Sequence, residues 1–313
     1  MRCFITGGAG FIGSNLVKSL IEENDVTVYD DLSLGKKEFV SKYIGSSKFK
    51  FIEADLLDFN VLKDSIKGHD IVFHLAANSD ISNNQLTDID LKNGTIATYN
   101  VLEAMRRNNI RQVVFSSSSA VYGEANIKPT SEDFGPLLPI SLYGASKLAC
   151  EGLIAAFCHN FGMKAWIFRF ANIAGDRGTH GVIVDFIRKL GKNSKEMEIL
   201  GDGEQAKPYL YVKDCVEGML YGFANSNDEV NYFNLSSDGS TKVKMIASIL
   251  VEEMGLKNVE FKFTGTSRGW PGDVPEVEMD TRKLAKLGWK CKLSSDESLR
   301  KAVRELLKER SSK

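Results

Sequence analysis

Tyr143 and Lys147 stand four positions apart in the stretch ISLYGASKLACE, residues 140–151. Four residues are about one helical turn, so in a helix the phenol and the ammonium share a face. The serine-rich run FSSSSAVYG (115–123) precedes them, and Ser118 lies 25 positions before Tyr143. Together these three side chains define a chemistry. Removing a hydride from an alcohol carbon requires the hydroxyl proton to leave at the same time. A free tyrosine, with a pKa of about 10, is a poor base near neutrality. An ammonium one turn away favours the phenolate, and Ser118 would hold the substrate oxygen. An isolated Tyr–Lys pair at this spacing is commonly just a surface contact, so the reading needs a hydride acceptor nearby.

The segment FITGGAGFIGSNLV (4–17) supplies a place for one. Gly7, Gly10 and Gly13 follow an apolar run and open an amphipathic one. Small residues there permit a tight turn and let a pyrophosphate approach the backbone N–H groups of a helix N-terminus. Asp30 comes 17 positions after Gly13. A carboxylate at that place accepts both hydroxyls of an adenosine ribose and repels a 2′-phosphate, which favours NAD over NADP. The alternative is that Asp30 and Asp31 only cap a turn. Asp55 ends another apolar run and either meets the adenine amino group or terminates a strand. Ala76 and Ala77 of HLAAN are small enough to let a cofactor lie across strand ends. His74 reads as a structural histidine.

The elements that must position these groups alternate. Strands are expected at 2–6, 26–30, 49–55, 70–76, 111–117 and 164–171, with helices near 11–23, 58–67, 87–108 and 142–161. Nearly all-apolar strands in a βαβα rhythm predict a parallel sheet covered on both faces, an α/β doubly wound Rossmann-like fold. In such sheets the ligand crevice lies at the carboxyl ends of the strands, where Ser118 and the start of the 142–161 helix would meet. After residue 172 the rhythm changes, to helices near 180–191, 213–224 and 241–254, a strand at YFNLS and two Gly-rich stretches. This predicts an NAD-binding domain over 1–172 and a smaller, mainly substrate-binding domain over 173–313, with some segments returning to the main sheet. The tail RKAVRELLKERSSK predicts a solvated amphipathic helix end.

Composition sets limits on partners. The 313 residues carry 40 Lys plus Arg against 41 Asp plus Glu, a net charge of −1, so no basic excess points to nucleic acid or an anionic membrane surface. The five cysteines are scattered and form no CxxC pair, which argues against a disulfide framework or a zinc site. Free thiols fit a reducing cytoplasm. No signal peptide is expected, and no apolar run approaches the ~20 residues of a membrane span.

With TGGAGFIGSNLV, YDDLSLGK, HLAA, NGT, SSSSAVYG, YGASK, RFANIAG and GDGEQAKPYLYVKD in this order, the chain resembles the extended short-chain dehydrogenase/reductase family along essentially its whole length, and most of all its nucleotide-sugar epimerases. The resemblance implies tightly held NAD. Gly7, Gly10, Phe11, Ile12 and Gly13 would lie at the pyrophosphate, and Asp30, Asp31, Leu32, Ser33 and Gly35 around the adenosine ribose. Asp55 and Leu56 would sit at the adenine, with Leu75, Ala76, Ala77, Asn93 and Ser116 also near the cofactor. Ser118, Tyr143 and Lys147 take the catalytic roles. Asn172, Val182, Glu198, Leu200, Lys207, Tyr209, Arg268 and Asp273 would border a UDP-sugar, residues 198–200 through backbone groups at the uracil.

The implied reaction interconverts UDP-glucose and UDP-galactose: C4 is oxidised, the 4-keto sugar turns about its diphosphate link, and hydride returns to the other face. A homodimer pairing the 87–108 and 142–161 helices is also implied. Two positions depart from the family pattern. Lys207 stands where an arginine is usual, and in RGWPGD, Arg268 is displaced upstream while Trp270 takes the nearer place. Related dehydratases and decarboxylases carry acids after the strand-end Ser or Thr, where this chain has Ser119 and Ala120. Val277, where a bulky aromatic can crowd an N-acetyl group, leaves N-acetylated sugars open as substrates, and UDP-glucuronate and UDP-pentoses are the further alternatives. A non-catalytic NAD-binding regulator on the same fold is the alternative outside enzymes.

Overall fold

The computed structural model describes residues 1–78 and 87–311. The first strand, β1 (Arg2–Thr6), shows how the chain is layered. Its alternation sends Cys3 and Ile5 to one face and Phe4 to the other. The next elements repeat the scheme: α1 (Phe11–Leu20), β2 (Asp25–Asp30), β3 (Phe49–Glu53), α2 (Phe59–Ser65), β4 (Ile71–His74), α3 (Ala97–Arg107), β5 (Gln112–Ser118), α4 (Leu142–Phe161) and β6 (Lys164–Phe170). Leu62 of α2, Val101 and Met105 of α3, and Ile154 and Phe157 of α4 cover one face of the sheet. Leu16 and Val17 of α1 lie on the other. Local sequence sets several ends. Asp58 accepts from Val61 N (3.2 Å) to cap α2, Ser141 accepts from Gly144 N (3.1 Å) to cap α4, and Gly162 at φ 61° stops α4.

The expected helix at 87–108 has two parts. A wide π-type turn over Leu91–Ile96 precedes the α-helix. Gly94 in this turn lies flush against α4: a Cβ there would come 2.1 Å from Ser146 Oγ. The strand expected at 70–76 ends at His74, which leaves Leu75, Ala76 and Ala77 as open chain at the sheet edge facing α1.

The second half contains β7 (Asn172–Ala174), α5 (Val182–Lys192), β8 (Glu196–Ile199), β9 (Ala206–Lys207), β10 (Tyr209–Tyr211), α6 (Val212–Asn225), β11 (Val230–Leu235), β12 (Thr241–Lys242), α7 (Val243–Glu253), β13 (Glu260–Phe263), α8 (Arg282–Lys286) and α9 (Ser295–Ser311). The seven-stranded sheet has the order β11-β6-β5-β4-β1-β2-β3, and all its pairs are parallel. So β11 returns to the main sheet, and Cys215, Val216 and Met219 of α6 with Leu284 of α8 complete the cover over α1's face. A separate core joins α5, α7 and α9 through Phe186, Leu190, Ile246, Leu250, Leu299 and Val303. The charged tail forms the end of α9; residues 312 and 313 lie outside the described residues. Among the described residues no helix is long and apolar enough to cross a membrane.

Phe168 on β6 is fully buried and stacks on Phe233 of β11 at 5.7 Å. Phe168→Ala should destabilise the fold by about 3–5 kcal/mol, the usual cost of emptying a buried aromatic site. Urea unfolding of the two proteins measures it.

Candidate active site

The turn between β1 and α1 is built for close approach. Gly7 has φ +70°, and a Cβ on it would lie 2.7 Å from Ala76 N; a Cβ on Gly13 would lie 2.0 Å from Gly7 O. Gly10, the N-cap of α1, offers no side-chain cap, and the first turn holds no acid. The leading amides of Phe11 and Ile12 are therefore left to an anionic ligand. Asp30 at the end of β2 is buried, and its carboxylate accepts from Ala9 N and Leu32 N, both at 2.9 Å. It thereby ties the Gly-rich turn to the following loop, and Gly35 packs against it with a would-be Cβ 2.7 Å from Oδ1. Leu32 is held at φ +60°, a conformation rare for a branched side chain. Asp31 accepts from Ser33 N (2.9 Å) and Ser33 Oγ (2.6 Å), so it shapes the loop. Asp55 is exposed and accepts from Leu57 N (2.8 Å), while Leu56 is buried beneath it. His74 is a structural histidine: its ring nitrogens lie 2.7 Å from Thr6 Oγ1 and 2.9 Å from Thr98 Oγ1, and burial pulls it down to about 3.

The three proposed catalytic side chains meet where β5 ends against the start of α4. Tyr143 lies beside Ser118, which opposes the rise of its phenol, and the Ser118 hydroxyl oxygen accepts from Ala120 N at 3.2 Å. Lys147 is buried, and its ammonium donates to Ser116 O at 2.7 Å. Asn93 sits half-buried in the turn before α3, and Ser146 on α4 donates to Asp90 O (2.7 Å) in that segment. The expectation that Lys147 together with the positive nicotinamide of NAD favours the Tyr143 phenolate concerns the NAD-loaded protein; among the protein's own groups burial dominates. Desolvation pushes the Tyr143 phenol up to about 12 against the opposing pull of Ser118, and it pulls Lys147 down to about 8. The lysine points at a carbonyl, with its nitrogen 5.8 Å from the Tyr143 ring centre, and does not touch the phenol oxygen.

On the opposite side of the cleft, Lys207 pairs with Asp273, whose other oxygen accepts from Gly269 N at 3.0 Å. Arg268 donates to Asp273 O (2.8 Å) and pairs with Glu124 (2.6 Å). It thus folds back onto the residues from which its sequence position separates it. Tyr209 stands opposite Asn172 in the β10–β7 pairing, and the charge of Asp273 nearby adds to the burial that raises its phenol. Lys207, Tyr209, Arg268, Asp273 and Asn172 therefore form one group, and Leu200 faces Gly269 beside it. Glu198 is turned toward α5, where Lys189 Nζ takes both its carbonyl oxygen (3.1 Å) and its carboxylate (3.3 Å). The Ile199 carbonyl accepts from Thr264 N at 3.1 Å. Of residues 198–200, the exposed Leu200 is the one at the cleft. Val182 packs on the core of α5, α7 and α9. Trp270 lies against Gly272, where a Cβ would come 2.2 Å from its ring.

Sequence reasoning missed Glu124 and the buried pair Glu151–Arg169 beneath β5. An acid directly after the VYG turn hints at Glu124; its partner, 144 positions away, is invisible without the fold. Among the described residues no group of His, Cys, Asp and Glu is arranged to hold a metal ion.

Residues 3–236 match the NAD dependent epimerase/dehydratase family, and the chain belongs to it. The cofactor of that family is NAD, and the uncapped α1 terminus, the glycine cradle and the Asp30 carboxylate suit it. The chain is 39% identical to a solved UDP-galactose 4-epimerase, with a TM-score of 0.88 over 99% of both chains. It is 30% identical to the UDP-N-acetylglucosamine 4-epimerase of Methanobrevibacter ruminantium, solved with UDP-N-acetylmuramic acid, with a TM-score of 0.87 over 98% of both. The UDP-glucose 4-epimerase of Mycolicibacterium smegmatis is 31% identical, over 97% of both chains.

Lys147 gives a pH test. Its folded value, about 8, lies below the ordinary value of 10.5. Between these values the unfolded chain holds a proton that the folded chain has lost, so stability rises with pH across that window. Protein stripped of NAD should therefore gain stability from pH 8 to pH 10 by an increment that Lys147→Met lacks, as read from urea midpoints.

Proposed function

We propose that this protein is an NAD-dependent UDP-hexose 4-epimerase that interconverts UDP-glucose and UDP-galactose. The observation that carries the reading is the Ser118–Tyr143 pair at the carboxyl end of β5, on the same strand-end side of the sheet as the glycine turn after β1, with no acid at Ser119 or Ala120. Ser118 orients the C4 hydroxyl, and Tyr143 takes its proton as the C4 hydrogen leaves with its electron pair. NAD, held by the glycine turn and Asp30, would supply the hydride acceptor and donor, and Tyr143 would return the proton when hydride comes back to the opposite face of the 4-keto sugar. The phenol, high in the protein alone, must be lowered for this step, and the positive charge of a nicotinamide would act in that direction. Lys147, held on Ser116 O, adds its positive charge behind the ring. Lys207 and Arg268 would grip the diphosphate. A single anchored nucleotide leaves the sugar free to turn.

Dehydration and decarboxylation are disfavoured because they need a further acid or base after the strand-end serine. Val277 favours an extension to N-acetylated sugars, since it places a small side chain at the position where related enzymes carry a bulky one. Purified protein with bound NAD should convert UDP-galactose to UDP-glucose without added reductant, and Tyr143→Phe should lower kcat about 10²-fold or more. Product analysis on a panel that includes UDP-N-acetylglucosamine, UDP-glucuronate and UDP-pentoses measures both. No interconversion of any UDP-hexose would leave a non-catalytic NAD-binding protein as the reading, and failure on UDP-N-acetylglucosamine alone would remove the extension.

We also infer a homodimer through α3 and α4. Tyr99 and Phe161 are 46% and 40% exposed and flank Phe157, an apolar aromatic row on the outer face of these helices. Tyr99→Asp should halve the mass seen in sedimentation equilibrium, and an unchanged mass counts against this interface.

A further inference from the structure

Helix α4 presents Tyr143, Lys147 and Glu151 one turn apart, and each meets one of three successive serines at the end of β5. Tyr143 lies beside Ser118, Lys147 Nζ donates to Ser116 O at 2.7 Å, and Ser117 Oγ donates to Glu151 Oε1 at 2.5 Å. The third contact is the most deeply anchored. Arg169 on β6 donates to both Glu151 oxygens, Nε to Oε1 at 3.0 Å and Nη2 to Oε2 at 2.7 Å. Its remaining Nη1 donates to Tyr122 OH (3.0 Å) and Glu132 O (2.9 Å). Tyr122 OH in turn donates to Asn234 Oδ1 at 2.7 Å, and Glu132 Oε1 accepts from Asn234 N at 2.9 Å. Ser117, Glu151, Arg169, Tyr122, Glu132 and Asn234 are all buried.

Stability alone is a poor reason for this network. A buried ion pair is often matched or bettered by apolar side chains of the same volume. What apolar side chains cannot do is fix the strand end in register with the helix. Ser118 is the last residue of β5 and begins a tight turn through its own bond with Ala120 N. Its position along α4 depends on how the preceding residue is held. The geometry points to Ser117 as a positioning residue: through Glu151 and Arg169 it fixes the end of β5 so that the Ser118 hydroxyl stays beside Tyr143. This deepens the proposed reaction and rests on it for its kinetic readout. The placement itself is observable without turnover.

The test is Ser117→Ala in the NAD-loaded enzyme. Its crystal structure should keep the Glu151–Arg169 pair and show the Ser118 hydroxyl moved away from Tyr143. Its kcat for UDP-galactose should fall about tenfold or more, in line with the sensitivity of reacting geometry to displacements near 1 Å, with KM within twofold of the parent. Ser117→Thr, which retains the hydroxyl, should restore both placement and rate. An unmoved Ser118 hydroxyl in Ser117→Ala overturns the inference, as does a lowered melting temperature with unchanged kcat. Should the parent enzyme turn over no sugar, the proposed reaction falls, and the crystallographic comparison still decides the role of Ser117.

Discussion

A lysine ammonium that is 4% exposed and bonded to a strand carbonyl sets the geometry of this protein. Burying that charge is unfavourable, and the direct bond to Ser116 O together with the acidic partners nearby offsets the loss of water. The bond holds α4 against the end of β5, and the other features of the centre follow from that contact. Gly94 is needed because the turn before α3 must pass within van der Waals reach of Ser146. Tyr143 ends up beside Ser118 because it lies one turn before the lysine. Its phenol is high for the same reason: the packing that brings the groups together also strips their water.

The layout of the sheet was largely legible in the chain. Alternation in segments such as RCFIT and the apolar runs between helices are direct consequences of a sheet buried on both faces, and the carboxyl-end location of Ser118 follows from topology. Asp30 was legible as the acid that ends β2, and its bonds to Ala9 N and Leu32 N show that it organises the loop it belongs to. Illegible were the pairings that depend on long-range closure. Arg268 looked out of place beside Trp270 until the fold returned it to Asp273 and Glu124. Glu198 looked like a nucleotide contact by position, but Lys189 on α5 occupies its carbonyl. Local spacing carries no information about either. The high phenol of Tyr143 in the protein alone was illegible for a related reason, because spacing shows which charges are close and not how much water has been removed.

The two cations proposed to meet the nucleotide, Lys207 and Arg268, are both partnered by acids. Lys207 meets Asp273, and Arg268 meets Glu124 and the Asp273 carbonyl. A diphosphate entering there exchanges one set of ion pairs for another. Such exchange yields less net affinity than binding to unpaired cations, and it favours ligands with enough charge to compete.

The return of β11 to the sheet has a consequence for how the protein is made. Strand β6 is flanked by β5 on one side and by β11, from residue 230 onward, on the other. A nascent chain that has emerged only through residue 172 carries the glycine cradle and all three side chains proposed for catalysis. It also carries an open strand edge and the uncovered rings of Trp166 and Phe168, which α6 and β11 would otherwise shield. The sheet therefore closes late in synthesis, and until then the half-made protein exposes the kind of surface that chaperones bind.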